Sequence, residues 1–130
     1  MRQFISLIAL VVADYDEALA FYVGKLGFSL VEDTDMGAAK RWVVVSPPGA
    51  METRLLLARA ADEDQARAIG AQGGGRVFLF LTTDDFDRDH ARYLAAGVRF
   101  LGAPRREGYG TVAVFEDICG NRWDMIEPKT

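Results

Sequence analysis

The sequence predicts an α+β fold made of two βαβββ units, and three observations predict it. The motif over residues 9–28 returns later in the chain: Asp16 and Tyr22 are answered 71 residues on by Asp87 and Tyr93, and Gly27 one residue short by Gly97. In each copy a β-branched, apolar stretch runs into an acidic helix start, the signature of a strand entering a helix. Each helix is then followed by three apolar segments divided by turn residues. Duplicated units of this size cover each other's apolar faces, so a functional site is expected in a central cleft built by both.

Taken in order, residues 4–12 are strand-like and meet Asp14-Tyr15-Asp16-Glu17, acids that suit the positive end of a helix dipole. Tyr15, Leu19, Tyr22, Val23 and Leu26 share one helical face, and Gly27 is placed to cap it. Residues 28–32, 41–46 and 54–58 read as three strands, with Pro47-Pro48-Gly49 as a turn. Residues 60–71 are Ala-rich and charged, a short linking helix, and Gln72-Gly73-Gly74-Gly75 forms a flexible joint. The second copy follows as a strand over 76–82, a helix over 85–96 and strands over 98–104, 111–115 and 122–126. In its helix Phe86, His90, Tyr93 and Leu94 stand 71 residues after Tyr15, Leu19, Tyr22 and Val23. The lone histidine therefore belongs on a core-facing stripe, and a structural role is expected for it.

Bulk properties narrow the function classes. With 130 residues and 50% hydrophobic composition the chain supports one well-buried core, whereas a unit of half that length would be marginal alone. The domain organisation expected is a first unit over 1–59, a linking helix and Gly-rich joint over 60–75, and a second unit over 76–130. A net charge of −4 argues against nucleic acid or an anionic membrane as partner, because phosphate binding needs clustered Lys and Arg. The single cysteine, Cys119, forms no internal disulfide, and Met1-Arg2-Gln3 enters a strand without a signal-peptide pattern, so a cytoplasmic location is expected. The longest apolar run, residues 7–13, is far short of the roughly 20 residues that span a bilayer.

Several motifs together resemble the vicinal oxygen chelate superfamily, the glyoxalase, bleomycin resistance protein and extradiol dioxygenase group. They are Val12-Ala13-Asp14-Tyr15-Asp16-Glu17-Ala18-Leu19-Ala20-Phe21-Tyr22, the Leu26-Gly27-Phe28 step, Asp85-Phe86-Asp87 with Ala96-Gly97-Val98, and Phe115-Glu116-Asp117 leading to Gly120-Asn121-Arg122-Trp123-Asp124. The resemblance spans the whole chain as one domain and implies curved mixed sheets with helices on the convex side, and a homodimer. It does not select a reaction, because this fold hosts lyases, dioxygenases, epimerases, thiol transferases and non-catalytic drug binders. Enzymes of the group hold a divalent metal that chelates two neighbouring substrate oxygens and stabilises the negative charge that develops on them.

Carried over residue by residue, the resemblance puts the first-strand histidine ligands at Leu7 and Phe78, both apolar here, and the closing-strand glutamate at Asp124. The corresponding strand of the first unit, Thr53-Arg54-Leu55-Leu56-Leu57, has no carboxylate at its centre. One carboxylate does not make a catalytic metal site, which uses at least three protein ligands, so no metal cofactor is expected. The cleft expected instead is lined by Leu7, Phe78 and Phe80, with Trp42, Trp123 and Tyr109 nearby. These side chains either fill the cavity themselves or stack on an aromatic or apolar ligand. Asp124 either sits in apolar surroundings, with a raised pKa, and pairs with a ligand or acts as a base, or it pairs with Arg41, Arg105 or Arg122 at the rim. Arg105 and Arg106 form a basic hairpin that either clamps an anion or is simply solvated. The segment 34–38 reads as an exposed turn or flap. Cys119 has no histidine near it in the expected fold, so no catalytic use is expected.

The leading expectation is a metal-independent small-molecule-binding protein with an aromatic cleft. The alternatives are a lyase or dioxygenase that uses a displaced metal site or Asp124 as base, and a protein-interaction module. The first has a direct check: protein purified without an affinity tag is expected to carry no stoichiometric transition metal by elemental analysis, and one tightly bound ion per chain would overturn it.

Overall fold

The computed structural model describes all 130 residues, Met1–Thr130. The chain forms two compact units, Met1–Ile69 and Gly70–Thr130.

In the first unit β1 (Leu7–Val12) enters α1 (Tyr15–Leu19), which continues as a π-helical turn over Ala20–Lys25. β2 (Ser29–Gly37), β3 (Lys40–Ser46), β4 (Arg54–Arg59) and α2 (Glu63–Ala68) follow. The sheet order is β1-β4-β3-β2, with β1 and β4 parallel and the other pairs antiparallel. Asp14 caps α1 by accepting from the Glu17 N–H at 2.8 Å, satisfying one of the donors a helix start leaves open. The wide turn ends with Leu26 N–H donating to the Phe21 carbonyl five residues back, and Phe21, Tyr22, Leu26 and Phe28 are all buried. Leu10, Val12, Val43, Val45, Leu55 and Leu57 share the sheet face that α1 covers. By strand alternation Leu7, Ala9, Trp42, Val44 and Leu56 belong to the opposite face.

The second unit repeats the plan. β5 (Val77–Thr82) enters α3 (Phe86–Ala95), followed by β6 (Arg99–Phe100), β7 (Arg105–Glu107), β8 (Gly110–Glu116) and β9 (Arg122–Pro128). The order is β5-β9-β8-β6, with β7 also on β8 and β5 parallel to β9. The repeat extends to single hydrogen bonds: the Tyr22 carbonyl accepts from Phe28 and the Tyr93 carbonyl from Val98, each across a glycine, Gly27 or Gly97, at φ 75° or 85°. Gly97 comes one residue early because α3 keeps α-helical spacing where the first copy widens. Asp85 caps α3, and Glu127 of β9 accepts from the Phe86 N–H at 2.7 Å, tying the helix start to the sheet.

The structure revises four expectations. The segment 34–38 is not a flap: β2 runs through Gly37, and a two-residue loop, Ala38-Ala39, joins it to β3. The strand expected over 98–104 splits into β6 and β7 around Gly102, at φ 151°, and Pro104, which has no N–H for a ladder bond. The linking helix contracts to Glu63–Ala68 behind its Asp62 cap. Leu94 falls off the buried stripe and is exposed.

The hairpin loop contains a local strain. Ala38 and Ala39 have φ of 52° and 64°, the two left-handed residues of a type I′ turn, where Asn-Gly is preferred. A left-handed non-glycine residue costs roughly 1–2 kcal/mol, and the extra unfolded-state freedom of glycine costs roughly 0.4–1 kcal/mol. Ala39→Gly is therefore expected to stabilise the protein by about 0.5–1 kcal/mol in urea unfolding; destabilisation would show that the loop does not hold this turn.

Candidate functional site

Each sheet has one face committed to its helix, so ligand-facing residues must come from the other face or from the strand ends. In the first unit these meet in a cavity of about 450 Å³ where β3 begins and β4 ends. Trp42, Leu56 and Ala58 supply its apolar wall, and Gln65 of α2 closes one side. Two guanidinium groups lie over the Tyr15 ring, those of Arg41 at 5.1 Å and Arg59 at 5.6 Å from its centre. Its hydroxyl oxygen accepts from the Arg41 N–H at 3.2 Å. Arg41 also pairs with Asp33 at 2.6 Å and Asp16 at 2.9 Å. The hydrogen bonds from Arg41 hold the Asp33 carboxyl below the usual carboxylate range against the opposing effect of burial. A depression at the tip of the β2–β3 hairpin is lined by Asp33, Asp35 and Arg41 and has no aromatic wall.

In the second unit Asp124 faces away from α3. It pairs in register with Phe80 and Val114, so the three share the helix-free face. Phe80 is 69% exposed there. The Asp124 carboxylate has a buried oxygen, Oδ1, with no hydrogen-bond partner. Burial raises its pKa, and the positive charge of Arg105 pulls it partly back. Arg105 is thus the arginine that acts on Asp124, while it also bonds Glu107 at 3.2 Å. Arg41 is engaged within the first unit, and Arg122 donates to the Gly75 carbonyl at 3.1 Å.

The remaining candidates separate. Trp123 is a correction: it is 3% exposed and stacked on Phe115 at 5.9 Å, so it belongs to the core and not to a ligand surface. The reason is strand alternation, which turns Trp123 and Met125 toward the helix and Asp124 the other way. Trp123 ends a run of rings that continues through Phe115 to Tyr93 and Phe100, and on to His90 and Phe86. His90 stacks on Phe86 at 5.3 Å and meets the edge of Phe100 at 4.6 Å, a packing position. Tyr109 is exposed in the β7–β8 turn, five residues or roughly 16 Å along the strand from the residue opposite Asp124. Leu7 is half-buried at the start of β1, and Phe78 sits at a bulge in β5 against Gly73. Cys119 lies in the β8–β9 turn, which the buried Asp117 carboxylate organises by accepting from the N–H groups of Cys119 and Asn121 and from the Asn121 side-chain amide. The closing motif read from sequence thus includes a structural turn. Sequence reasoning gave Tyr15 only a place on the helical face and missed Lys40, Arg59 and Gln65, which carry no motif; the four become neighbours only through the sheet.

The donor set does not fit the divalent metal found in related enzymes. Leu56 occupies in the first sheet the register position that Asp124 has in the second, since Ala9 pairs with Leu56 and Phe80 with Asp124. No group of three or more His, Cys, Asp or Glu side chains is arranged so that it could hold a metal ion. No helix is long and apolar enough to cross a membrane.

Residues 5–125 match the Glyoxalase/Bleomycin resistance protein/Dioxygenase superfamily, and the chain belongs to that family. It is 58% identical over 128 residues to an uncharacterized protein of Shewanella frigidimarina, covering 98% of this chain and 95% of the relative. It is 32% identical to the Bacillus subtilis protein YurT, over 95% and 98% of the two chains. Among solved structures it is similar to UcmS2, at 30% identity and TM-score 0.84 over 98% of this chain and 99% of that one. It is likewise similar to TnmS3, an antibiotic binding protein from Streptomyces sp. CB03234, at 30% identity and TM-score 0.78 over 98% of both chains.

The raised Asp124 pKa has a pH signature. Between about 3.9, the value of a free Asp, and the higher folded value, the folded state holds a proton that the unfolded state has lost. The Asp124 contribution is therefore fully present below that window and declines as pH rises through it. Asp124→Asn should be more stable relative to wild type at neutral pH than at about pH 3.5, measured by thermal melting across the range; a constant difference would remove the burial effect.

Proposed function

We propose that the protein is a metal-independent binder of small aromatic molecules. The observation that carries the reading is the Trp42 cavity. Its volume of about 450 Å³ falls in the range of ligand pockets, roughly 300–1,000 Å³. It joins an aromatic and aliphatic wall to a few polar groups at the rim, the composition that gives affinity by burial and stacking and orientation by polar contacts. In the second unit Phe80 and the unpaired oxygen of Asp124 supply the same combination, with Asp124 as the polar group that fixes ligand orientation. The antibiotic-binding role named for TnmS3 supports the same class of ligand. A lyase or dioxygenase reading would rest on Asp124 as base, and the one charge that acts on its pKa is that of Arg105, which stays protonated. The homodimer implied by family membership is a further part of the proposal, supported by the open edge strand β2, where Leu30, Val31 and Met36 are exposed.

The two tryptophans make the binding reading testable. In titration with aromatic metabolites and antibiotics, a ligand in the cavity is expected to quench Trp42 emission. The quench should survive Trp123→Phe and vanish in Trp42→Phe. Trp42→Ala should weaken binding about tenfold, or about 1.4 kcal/mol, the scale of a lost aromatic stack. Ligands that bind equally well to wild type and Trp42→Ala would overturn the assignment of the cavity.

A further inference from the structure

The rim of the Trp42 cavity is electrically one-sided. In a chain with 19 acidic and 15 basic residues, this cavity is lined by Lys40, Arg41 and Arg59 and by no Asp or Glu. The three cations are not equivalent. Arg41 is already neutralised by Asp33 and Asp16. Lys40 and Arg59 have no carboxylate within 4.0 Å, and Arg59 rests on the Tyr15 ring. Gln65 accepts from the Ala61 N–H through its side-chain oxygen at 2.8 Å, which leaves its amide N–H groups as donors at the same rim. Beside an apolar wall, then, stand two positive charges without a carboxylate partner and a spare amide donor, with no Asp or Glu side chain in the lining.

We infer that the cavity selects planar aromatic molecules bearing an acidic group, the ring against Trp42 and the acid between Lys40 and Arg59. A guanidinium presents a planar fork of donors that fits a carboxylate or sulfonate, and the ammonium adds a point charge. Arg59 is held in place by the Tyr15 ring, so little side-chain freedom is lost when an anion arrives. The inference rests on the binding function proposed above and adds the charge of the ligand.

A matched pair of probes tests it: 8-anilinonaphthalene-1-sulfonate and N-phenyl-1-naphthylamine, which share the aromatic skeleton and differ in the sulfonate. Both are titrated into the full chain, with Trp42 quenching as the site-specific signal and Trp42→Phe as its control. The sulfonate is expected to bind at least about tenfold more tightly at low salt, with the advantage shrinking as salt rises because the rim is partly exposed. The double variant Lys40→Gln with Arg59→Gln, both at exposed positions, should bring the two affinities within about twofold. Circular dichroism confirms that the variant is folded, and the salt series on the wild type is an independent second measure. Equal affinities, or a sulfonate preference that survives the double variant, would overturn the charge selection and leave the aromatic binding reading standing. Failure of both probes to perturb Trp42 would overturn both.

Discussion

The alternation of side chains across each sheet is the constraint on which the rest depends. Successive residues of a strand point to opposite faces, and in both units the helix after the first strand covers one face only. Leu10, Val43, Val45, Leu55 and Leu57 meet the helix in the first unit, as Trp123, Met125 and Phe115 do in the second. Everything one residue out of phase is left for something else, including Trp42, Leu56, Phe80 and Asp124. A one-residue slip would exchange Trp123 for Asp124 in the core, burying a carboxylate among aromatic rings at a cost of several kcal/mol. Register and site are therefore set together.

The parallel pairings β1–β4 and β5–β9 secure that register. Each closes a unit by bringing its last strand beside its first, at the far end of a helix and two or three intervening strands. Side-chain contacts reinforce the closure: Glu127 of β9 caps α3 and Tyr15 binds the backbone of β3. The buried Asp117–Asn121 turn, which would be costly to leave unpaired, holds β8 and β9 in phase at their junction. Once the helix face is filled, the remaining face is free to vary in chemistry. That is a physical reason why one fold serves both metal-chelating enzymes and a chain with Leu7, Leu56 and Phe78 at three of the corresponding positions.

The two units have diverged in what they place on that free face. In the first, apolar residues and cations surround a cavity at the strand ends. In the second, a lone carboxylate with a buried, unpartnered oxygen stands beside an exposed phenylalanine. A buried polar atom without a partner costs roughly 1–3 kcal/mol, and the π-helical turn and the left-handed Ala38-Ala39 loop mark other places where the first unit departs from regular geometry. The unpartnered Oδ1 of Asp124 is the departure that coincides with a surface proposed for ligand contact.

Much was legible in the sequence because it depends on short-range periodicity. The repeat, the caps at Asp14 and Asp85, the glycines at 27 and 97, the packing role of His90 and the apolar replacements at positions 7 and 78 are all local patterns, and local patterns survive as linear text. The sequence by itself determined the family, the βαβββ plan and the absence of a histidine pair at the family's ligand positions. Tertiary structure alone decided which tryptophan is core and which is cavity, because Trp42 and Trp123 sit in similar apolar strands and differ only in phase relative to a helix far away in sequence. It also decided that Arg41 is spent on Asp16 and Asp33 while Lys40 and Arg59 are not, since electrostatic pairing depends on distances that the sheet registers set and that spacing along the chain does not encode.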